Sequence, residues 1–430
     1  TLNGVKKYSI NFSYLITEYL FSLITSLFIG IAVARYLGPD QYGIISYAVS
    51  IFSIALIIVG LGLDDIIFKD MLNKKYNIGA IFGSAIFLKT ISSIFIYMII
   101  LIWSFYYYSG ERLYTLLIIN TALLFQPLSI YAIGFLSKAE GKYTSISRII
   151  SYSISAILKI ILIIIDASLS YFALAVFLDY SILYIMIYIL YKSRNNHKYK
   201  LSISKEYIYK LIKTTPLVFF SIVFYTLFLK ISIILITYFH TSYLSGIYTA
   251  AIRLIEAFYL IPAVIISALY PALIHAKNNN ENEYIKRINQ LFTIIFYPFI
   301  IICLTISLFS PFIINLLYGK IYAESSIVLS YTVWALPFIA FNIISTKYLI
   351  IENLLKELLI ISGASITILT ILILLLSKTY ALVGISLSFT ISAFISFFML
   401  DLCFKNTRKL FFIKLKSIIY PFFIIYNKFK

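Results

Sequence analysis

The sequence predicts an all-α polytopic membrane protein: twelve transmembrane helices in two six-helix parallel-repeat bundles around a central cavity. Three observations carry that expectation. First, 62% of the 430 residues are hydrophobic and only 12% are charged, whereas a soluble domain has about 45–50% apolar and about 25% charged residues. That is more apolar surface than one water-borne core can hide, which excludes both a soluble globular chain and a disordered one. Second, the apolar residues fall in runs long enough to cross a bilayer, which takes about 20 residues of helix. Third, the two halves of the chain carry equal numbers of such runs and share a short motif.

Twelve runs qualify, at about 9–35, 42–66, 80–105, 113–137, 146–165, 169–190, 214–238, 244–274, 288–309, 325–350, 357–377 and 381–402. Each is too long for a strand and lacks the two-residue alternation of a membrane barrel. The first is also too long for a cleavable signal peptide. The longest polar stretch separates the halves. This gives an N-terminal bundle at 1–191, a basic linker at 192–213, a C-terminal bundle at 214–404 and a basic tail at 405–430. Within the tail, 410–426 is apolar but interrupted by Lys414, Lys416 and Pro421. It reads as a helix lying at the membrane interface, with a thirteenth span as the alternative.

Lys and Arg number 35 and Asp and Glu 17, a formal net charge of +18. If the chain starts in the cytoplasm, 26 of the basic residues fall on inside segments. Four (Arg35, Arg112, Lys320, Lys378) fall outside and five (Lys89, Lys159, Lys230, Arg253, Lys347) within spans. The positive-inside rule then places both termini in the cytoplasm. Scattered over many loops, the charge forms no single basic face, so nucleic acid is not an expected partner. Cys303 and Cys403 sit in apolar stretches and offer no disulfide framework or zinc cluster. His197, His240 and His275 have no metal-ligand spacing, so no metal and no cofactor is expected.

The repeat is local but in register. Around the second span the chain reads Tyr42-Gly43-Ile44-Ile45-Ser46-Tyr47-Ala48, and 203 positions later, around the eighth, Ser245-Gly246-Ile247-Tyr248-Thr249-Ala250-Ala251. Six spans per half is an even number, so both halves enter from the same side and the repeat is parallel, about an axis along the membrane normal. In the second span Ser46, Ser50, Ser53, Gly60 and Asp64 share one helix face. The same face of the eighth carries Thr249, Arg253, Glu256, Ala263 and Ser267. Packing through small residues accounts for the first stripe as well as a wet cavity does. It does not account for Arg253 and Glu256, because ionisable side chains inside a membrane are costly and turn toward protein or water.

Glu18, with Asn11, Tyr14, Ser22 and Thr25 on its face, and Lys230, with Thr226 and Thr237 on its face, extend this set. The expected cavity lies among spans 1, 2, 7 and 8; the competing reading is a set of buried ion pairs that fix helix register. Lys159 and Asp179, on consecutive spans, read as a structural salt bridge. Lys89 fits either a cavity lining or a snorkelling side chain. Lys347 and Asp401 are expected to snorkel, and Asp64 and Asp65 to cap the second span in solvent. Pro127, Pro262, Pro271 and Pro337 interrupt spans 4, 8 and 10, where a helix can bend.

Several stretches resemble one family. Ala34-Arg35-Tyr36-Leu37-Gly38-Pro39-Asp40-Gln41-Tyr42-Gly43 is similar to the junction of the first and second spans in Wzx-type O-antigen and polysaccharide flippases. These belong to the multidrug/oligosaccharidyl-lipid/polysaccharide (MOP) exporter superfamily. Gly246-Ile247-Tyr248, with Arg253, Glu256 and Pro271, resembles the family's eighth span, and Pro311 with Leu317-Tyr318-Gly319 its loop before the tenth. The resemblance implies a flippase and no enzyme. It implies that an undecaprenyl-diphosphate-linked oligosaccharide (O-antigen, capsule or a related lipopolysaccharide repeat unit) crosses from the inner to the outer leaflet of the bacterial cytoplasmic (inner) membrane by alternating access. Beyond the lipid bilayer, it implies contact with polysaccharide polymerase and glycosyltransferases. On that reading Lys230, Arg253, Arg35, Glu18, Ser50 and Ser53 line the substrate cavity, Arg being able to hold phosphate bidentately. Glu256, Glu18 and Asp64 are then candidates for coupling to a proton or sodium gradient. One departure stands out: where the family often has Lys-Ile-Asp in the seventh span, this chain has Lys230-Ile231-Ser232. Two rival functions stay open. A cation-coupled multidrug antiporter of the same superfamily would favour an acid-rich cavity, and a membrane glycan polymerase would usually need a large outside loop that this chain lacks.

Overall fold

The computed structural model describes residues 2–73, 76–195 and 200–428. Lys74, Lys75, His197, Lys198 and Lys430 lie outside them, as do the side chains of Asn11 and Pro271. The described residues form helices joined by short turns, with no strand. In chain order the α-helices are α1 (Leu2–Gly60), α2 (Asp64–Asn73), α3 (Ile78–Tyr107), α4 (Gly110–Thr121), α5 (Ile130–Ser137), α6 (Lys142–Ile164), α7 (Leu169–Asn195) and α8 (Lys205–Thr214). They continue as α9 (Pro216–Phe239), α10 (Ser242–Glu256), α11 (Leu260–Asn279), α12 (Glu281–Tyr318), α13 (Ser325–Thr332), α14 (Leu336–Ile351), α15 (Leu355–Phe394) and α16 (Arg408–Lys428).

Ten helical stretches among the described residues are long and apolar enough to cross a membrane. Two of them are too long for one crossing. Thr17–Asn73 has 57 residues and Leu355–Leu402 has 48, so straight helices would run about 85 and 72 Å at 1.5 Å per residue, against a bilayer core of about 30 Å. Each contains a break inside its apolar part, and the first has a further turn at Leu61 and Gly62, between α1 and α2. Gly38, at φ 70° and ψ 171°, stops the first span before Pro39 begins the next; that region of backbone space is essentially reserved for glycine. Ala381, at φ 43°, divides the second stretch. The breaks turn ten stretches into the twelve crossings expected from sequence.

Three of the four prolines singled out above coincide with a tightening of their span. Pro127 lies in a 3₁₀ segment, Ala122–Ser129. Pro262 follows the 3₁₀ turn Ala257–Tyr259, and Pro337 follows Val333–Ala335. Proline has no N–H for the carbonyl four residues earlier and crowds it, and the preceding turn winds tighter in response. At Pro271 the helix α11 runs on unbroken.

The chain divides into two compact units: Thr1–Thr226 with Thr241–Gly246, and Leu227–His240 with Ile247–Lys430. In the first unit α6 packs against α1 and α7. There the polar stripe of the second span satisfies itself: the hydroxyls of Ser46, Ser50 and Ser53 each donate at 2.7 Å to the carbonyl four residues back. In a medium without water a hydroxyl needs such a partner. Gly43 and Gly246 lie where backbones pass close together. A Cβ on Gly43 would overlap the carbonyl oxygen of Ser242, and one on Gly246 would overlap that of Pro39. Both pairs, 43 with 246 and 39 with 242, are 203 positions apart, and all four residues belong to the first unit.

From residue 200 onward the linker is docked. The Ser202 N–H donates to the Gly79 carbonyl and the Ser204 N–H to the Ser84 hydroxyl. The amphipathic α8 then buries Tyr207 and Leu211. Lys210 Nζ lies 2.6 and 2.7 Å from the two oxygens of buried Asp70, and the Tyr207 hydroxyl donates to the same carboxylate. Burial and, after it, the Asp70 charge hold the Tyr207 phenol well above its ordinary range.

In the second unit α12 starts ahead of its apolar stretch. Asn280 accepts from the N–H groups of Asn282 and Glu283, and Glu281 and Glu283 occupy the first turn, which suits the positive end of the helix dipole. Asp401 departs from expectation. It does not snorkel but is buried, paired with the equally buried Lys414 of α16 at 2.6 Å. A π-type turn at Ile395–Met399 shifts the carbonyl ladder of the twelfth span. Lys414 Nζ donates at 2.7 Å to the Phe397 carbonyl in that turn. Position 414 is therefore an internal anchor, and α16 packs along α12, where Tyr297 donates to the Ile418 carbonyl.

Candidate functional site

Three of the predicted site residues meet in the second unit. Lys230 lies nine residues before the end of α9 and Arg253 eleven after the start of α10. At 1.5 Å per residue both stand about 15 Å from the connecting turn, near the middle of a core of about 30 Å. Glu256 lies one turn beyond Arg253 on the same face. Its Oε1 is 2.5 Å from Lys230 Nζ and its Oε2 3.5 Å from an Arg253 terminal nitrogen. Two cations thus converge on one carboxylate, and the three side chains together carry one positive charge. The Arg253 side chain is 42% exposed, whereas those of Lys230 and Glu256 are about half as open. The group therefore presents its guanidinium. The 3₁₀ turn imposed ahead of Pro262 begins at the residue after Glu256, so the site sits where its helix leaves regular geometry.

Ser232 explains the departure from the Lys-Ile-Asp pattern. It is fully buried beside Tyr248. Two residues on a helix are about 200° apart, so position 232 faces away from Lys230. An acid there would be buried on the other side of α9, whereas Glu256 supplies the carboxylate to Lys230 from the neighbouring helix.

The other predicted residues stand elsewhere. Glu18 belongs to the first unit, buried against α6. Its Oε1 is 3.1 Å from Arg148 Nε and its Oε2 accepts from the Ser145 hydroxyl at 3.0 Å. It has neither the exposure nor a free oxygen expected of a cavity lining, because the sequence face assigned to it takes no account of what α6 offers across the contact. Ser50 is buried and Ser53 half-buried, both bonded within their own helix, so helix packing is the reading that holds for the stripe. Arg35 is exposed just ahead of the Gly38 break. Asp64 is 60% exposed, and one oxygen lies 2.7 Å from Nζ of Lys89, which is itself fully buried and also donates to Ser129. Lys89 therefore neither lines a cavity nor snorkels: its stem is buried and its amine is spent on Asp64. Asp179 accepts from the Ser151 hydroxyl at 3.2 Å, and Lys347 lies over the Tyr270 ring. Sequence reasoning missed Lys414; an acid thirteen residues upstream in an otherwise apolar run was the available signal. No group of three or more His, Cys, Asp or Glu able to hold a metal occurs among the described residues.

The twelve crossings and a charged group at mid-depth define the architecture of a multi-pass membrane protein. The same fold occurs in solved structures. The lipid II flippase MurJ in an inward closed conformation aligns over 98% of this chain and 93% of its own, with a TM-score of 0.70 at 17% identity. An inward-facing multidrug resistance MATE family transporter of the MOP superfamily aligns over 91% and 95%, at 0.60 and 13%. A eukaryotic MATE transporter aligns over 97% and 99%, at 0.62 and 13%. These relatives are a flippase and transporters, not enzymes. No curated protein matches the chain in sequence. Residues 32–327 match the polysaccharide biosynthesis protein family, and the chain belongs to that family.

Proposed function

We propose that this protein flips a polyprenyl-diphosphate-linked oligosaccharide, such as an O-antigen or capsule repeat unit, from the inner to the outer leaflet of a bacterial cytoplasmic membrane. The observation that carries this reading is the meeting of Lys230 and Arg253 on one carboxylate at mid-depth. A sugar diphosphate headgroup is too polar and too charged to enter hydrocarbon alone. A positive group at mid-depth offers it donors in place of water, Arg253 with two parallel N–H bonds and Lys230 with a point charge. The diphosphate competes with Glu256 for both cations, and the prenyl tail stays in lipid. The two six-span halves, 1–191 and 214–404, alternate access to the two sides, and both termini are cytoplasmic. Coupling to a proton or sodium gradient falls to Glu256. Family membership, the fold shared with a lipid II flippase and the sign of the charge all support the reading; a cationic drug, the rival substrate, would meet repulsion at this site.

Arg253→Ala tests it. The expected result is loss of surface glycan and accumulation of the lipid-linked precursor, with wild-type amounts of folded protein in the membrane. Normal glycan in that variant refutes the assigned role.

A further inference from the structure

A second charged feature, in the first unit, takes no part in the proposed transport. Where α5 and α7 end and α6 begins, four cations lie over tyrosine rings. Arg194 Cζ is 4.2 Å and Lys142 Nζ 5.0 Å from the centroid of Tyr143. Lys138 Nζ is 5.3 Å from that of Tyr191 and Lys192 Nζ 5.7 Å from that of Tyr188. The rings form one chain with Phe135 and Tyr131: Tyr143 to Phe135 and Phe135 to Tyr191 are 5.1 Å apart between centroids, and Tyr191 to Tyr131 and Tyr131 to Tyr188 are 5.2 Å. Tyr131, Phe135, Tyr143 and Tyr191 are buried, part of the core at this end of the unit. Long flexible cations on a rigid aromatic base lose less freedom on binding than free ones do.

The apolar surface beside this rim is shaped for lipid. Ile146, Ile150, Ile154, Ile157 and Ile161 are all exposed and follow one another at steps of four or three. They make a stripe down α6 that starts one turn below exposed Lys142. The acid nearest in sequence is Glu140, and Lys142, Lys192 and Arg194 form no ion pair among the described residues. A stripe for an acyl chain headed by fixed cations matches one chemistry.

We propose that the rim of Lys138, Lys142, Lys192 and Arg194 binds the phosphate headgroup of an anionic phospholipid, with an acyl chain along the α6 isoleucine stripe. This holds whether or not the flippase reading does, because it concerns resident bilayer lipid and a different unit.

The test is native mass spectrometry of the full-length protein in micelles doped with phosphatidylglycerol or phosphatidylcholine. Wild-type protein should retain phosphatidylglycerol over phosphatidylcholine, and less of it as salt rises. Juxtamembrane cations contribute about 1 kcal/mol each toward an anionic lipid. The double variant Lys142→Gln, Arg194→Gln should therefore retain about thirtyfold less, while Arg194→Lys keeps the charge and most of the retention. Lys320→Gln with Lys378→Gln, in the second unit, should change nothing. Equal retention of the two lipids by the wild type, or equal phosphatidylglycerol retention by wild type and double variant, overturns the proposal. If the double variant does not fold, Lys142→Gln alone against Arg194→Lys decides it by the same comparison.

Discussion

Glu256 and Glu18 are both carboxylates inside apolar helices, each beside an arginine, and they do opposite things. Glu18 faces one cation and one hydroxyl, each oxygen is taken, and its side chain is 5% exposed. Positive and negative charge cancel, and nothing remains for a third party. Glu256 is shared between two cations, and the partner it holds at the longer distance, Arg253, is also the more exposed. Cancellation leaves one positive charge at mid-depth. A balanced pair secures helix against helix; an unbalanced triad can exchange its carboxylate for another anion. On the proposed reading, the count of charges around a carboxylate separates the transport group from a helix-fixing pair better than the fact of burial does.

The largest effect should come from removing the imbalance. Lys230→Met combined with Arg253→Ala converts the group from one net positive charge to one net negative charge, and export of lipid-linked glycan should fall to background. Hydrogen bonds to charged groups are worth about 1.5–3 kcal/mol, so each single variant should cost at least about tenfold in export. The measurement is glycan at the cell surface normalised to folded protein in the membrane. A double variant that still exports would show that the substrate's charge is met elsewhere.

Next in size is the balanced pair that closes the C-terminal end. Lys414→Ala leaves Asp401 charged in a dry site and the Phe397 carbonyl without its donor. Breaking a buried pair in this way costs about 3–5 kcal/mol. Thermal unfolding in detergent should show it as a strongly lowered midpoint, whereas Lys414→Met with Asp401→Leu, which removes both charges, should recover most of the loss. If the single variant unfolds at the wild-type temperature, the pair does not anchor α16.

These residues also mark what the sequence could and could not reveal. The twelve crossings were readable because each is a long run whose composition answers to the bilayer alone, and even the broken pair at Gly38 could be placed from the glycine and proline between two runs. Lys230, Arg253 and Glu256 were readable as a group because two adjacent helices of similar length place them at one depth, and the 203-residue offset aligned their face with a polar stripe. Which partner each of the other carboxylates takes was not readable. Glu18 finds Arg148 and Ser145 on α6, Asp64 finds Lys89 on α3, and Asp401 finds Lys414 on α16. The face of one helix shows that a polar side chain needs a partner, but the neighbouring helix decides which, and tertiary packing sets that register. The serine stripe misled for a related reason: a hydroxyl in a helix can be satisfied by its own carbonyl ladder, so a polar face on the helical wheel does not require water opposite it.

The smallest effect sharpens the contrast. Glu18→Gln discharges the group; its single amide oxygen can accept from Arg148 while its NH2 donates to the Ser145 hydroxyl oxygen. The Arg148 side chain is 42% exposed, so water takes up part of the loss and the expected cost is about 1 kcal/mol. That is a shift of a few degrees in the unfolding midpoint at most. Export should stay close to wild type. Glu256→Gln is the matching change in the triad. It frees both cations for the substrate and removes the one acid able to exchange a proton there, so binding of the lipid-linked precursor should tighten while turnover falls. If Glu18→Gln impairs export as strongly as Glu256→Gln at equal amounts of folded protein, the distinction between a balanced and an unbalanced carboxylate fails, and Glu18 belongs with the transport machinery after all.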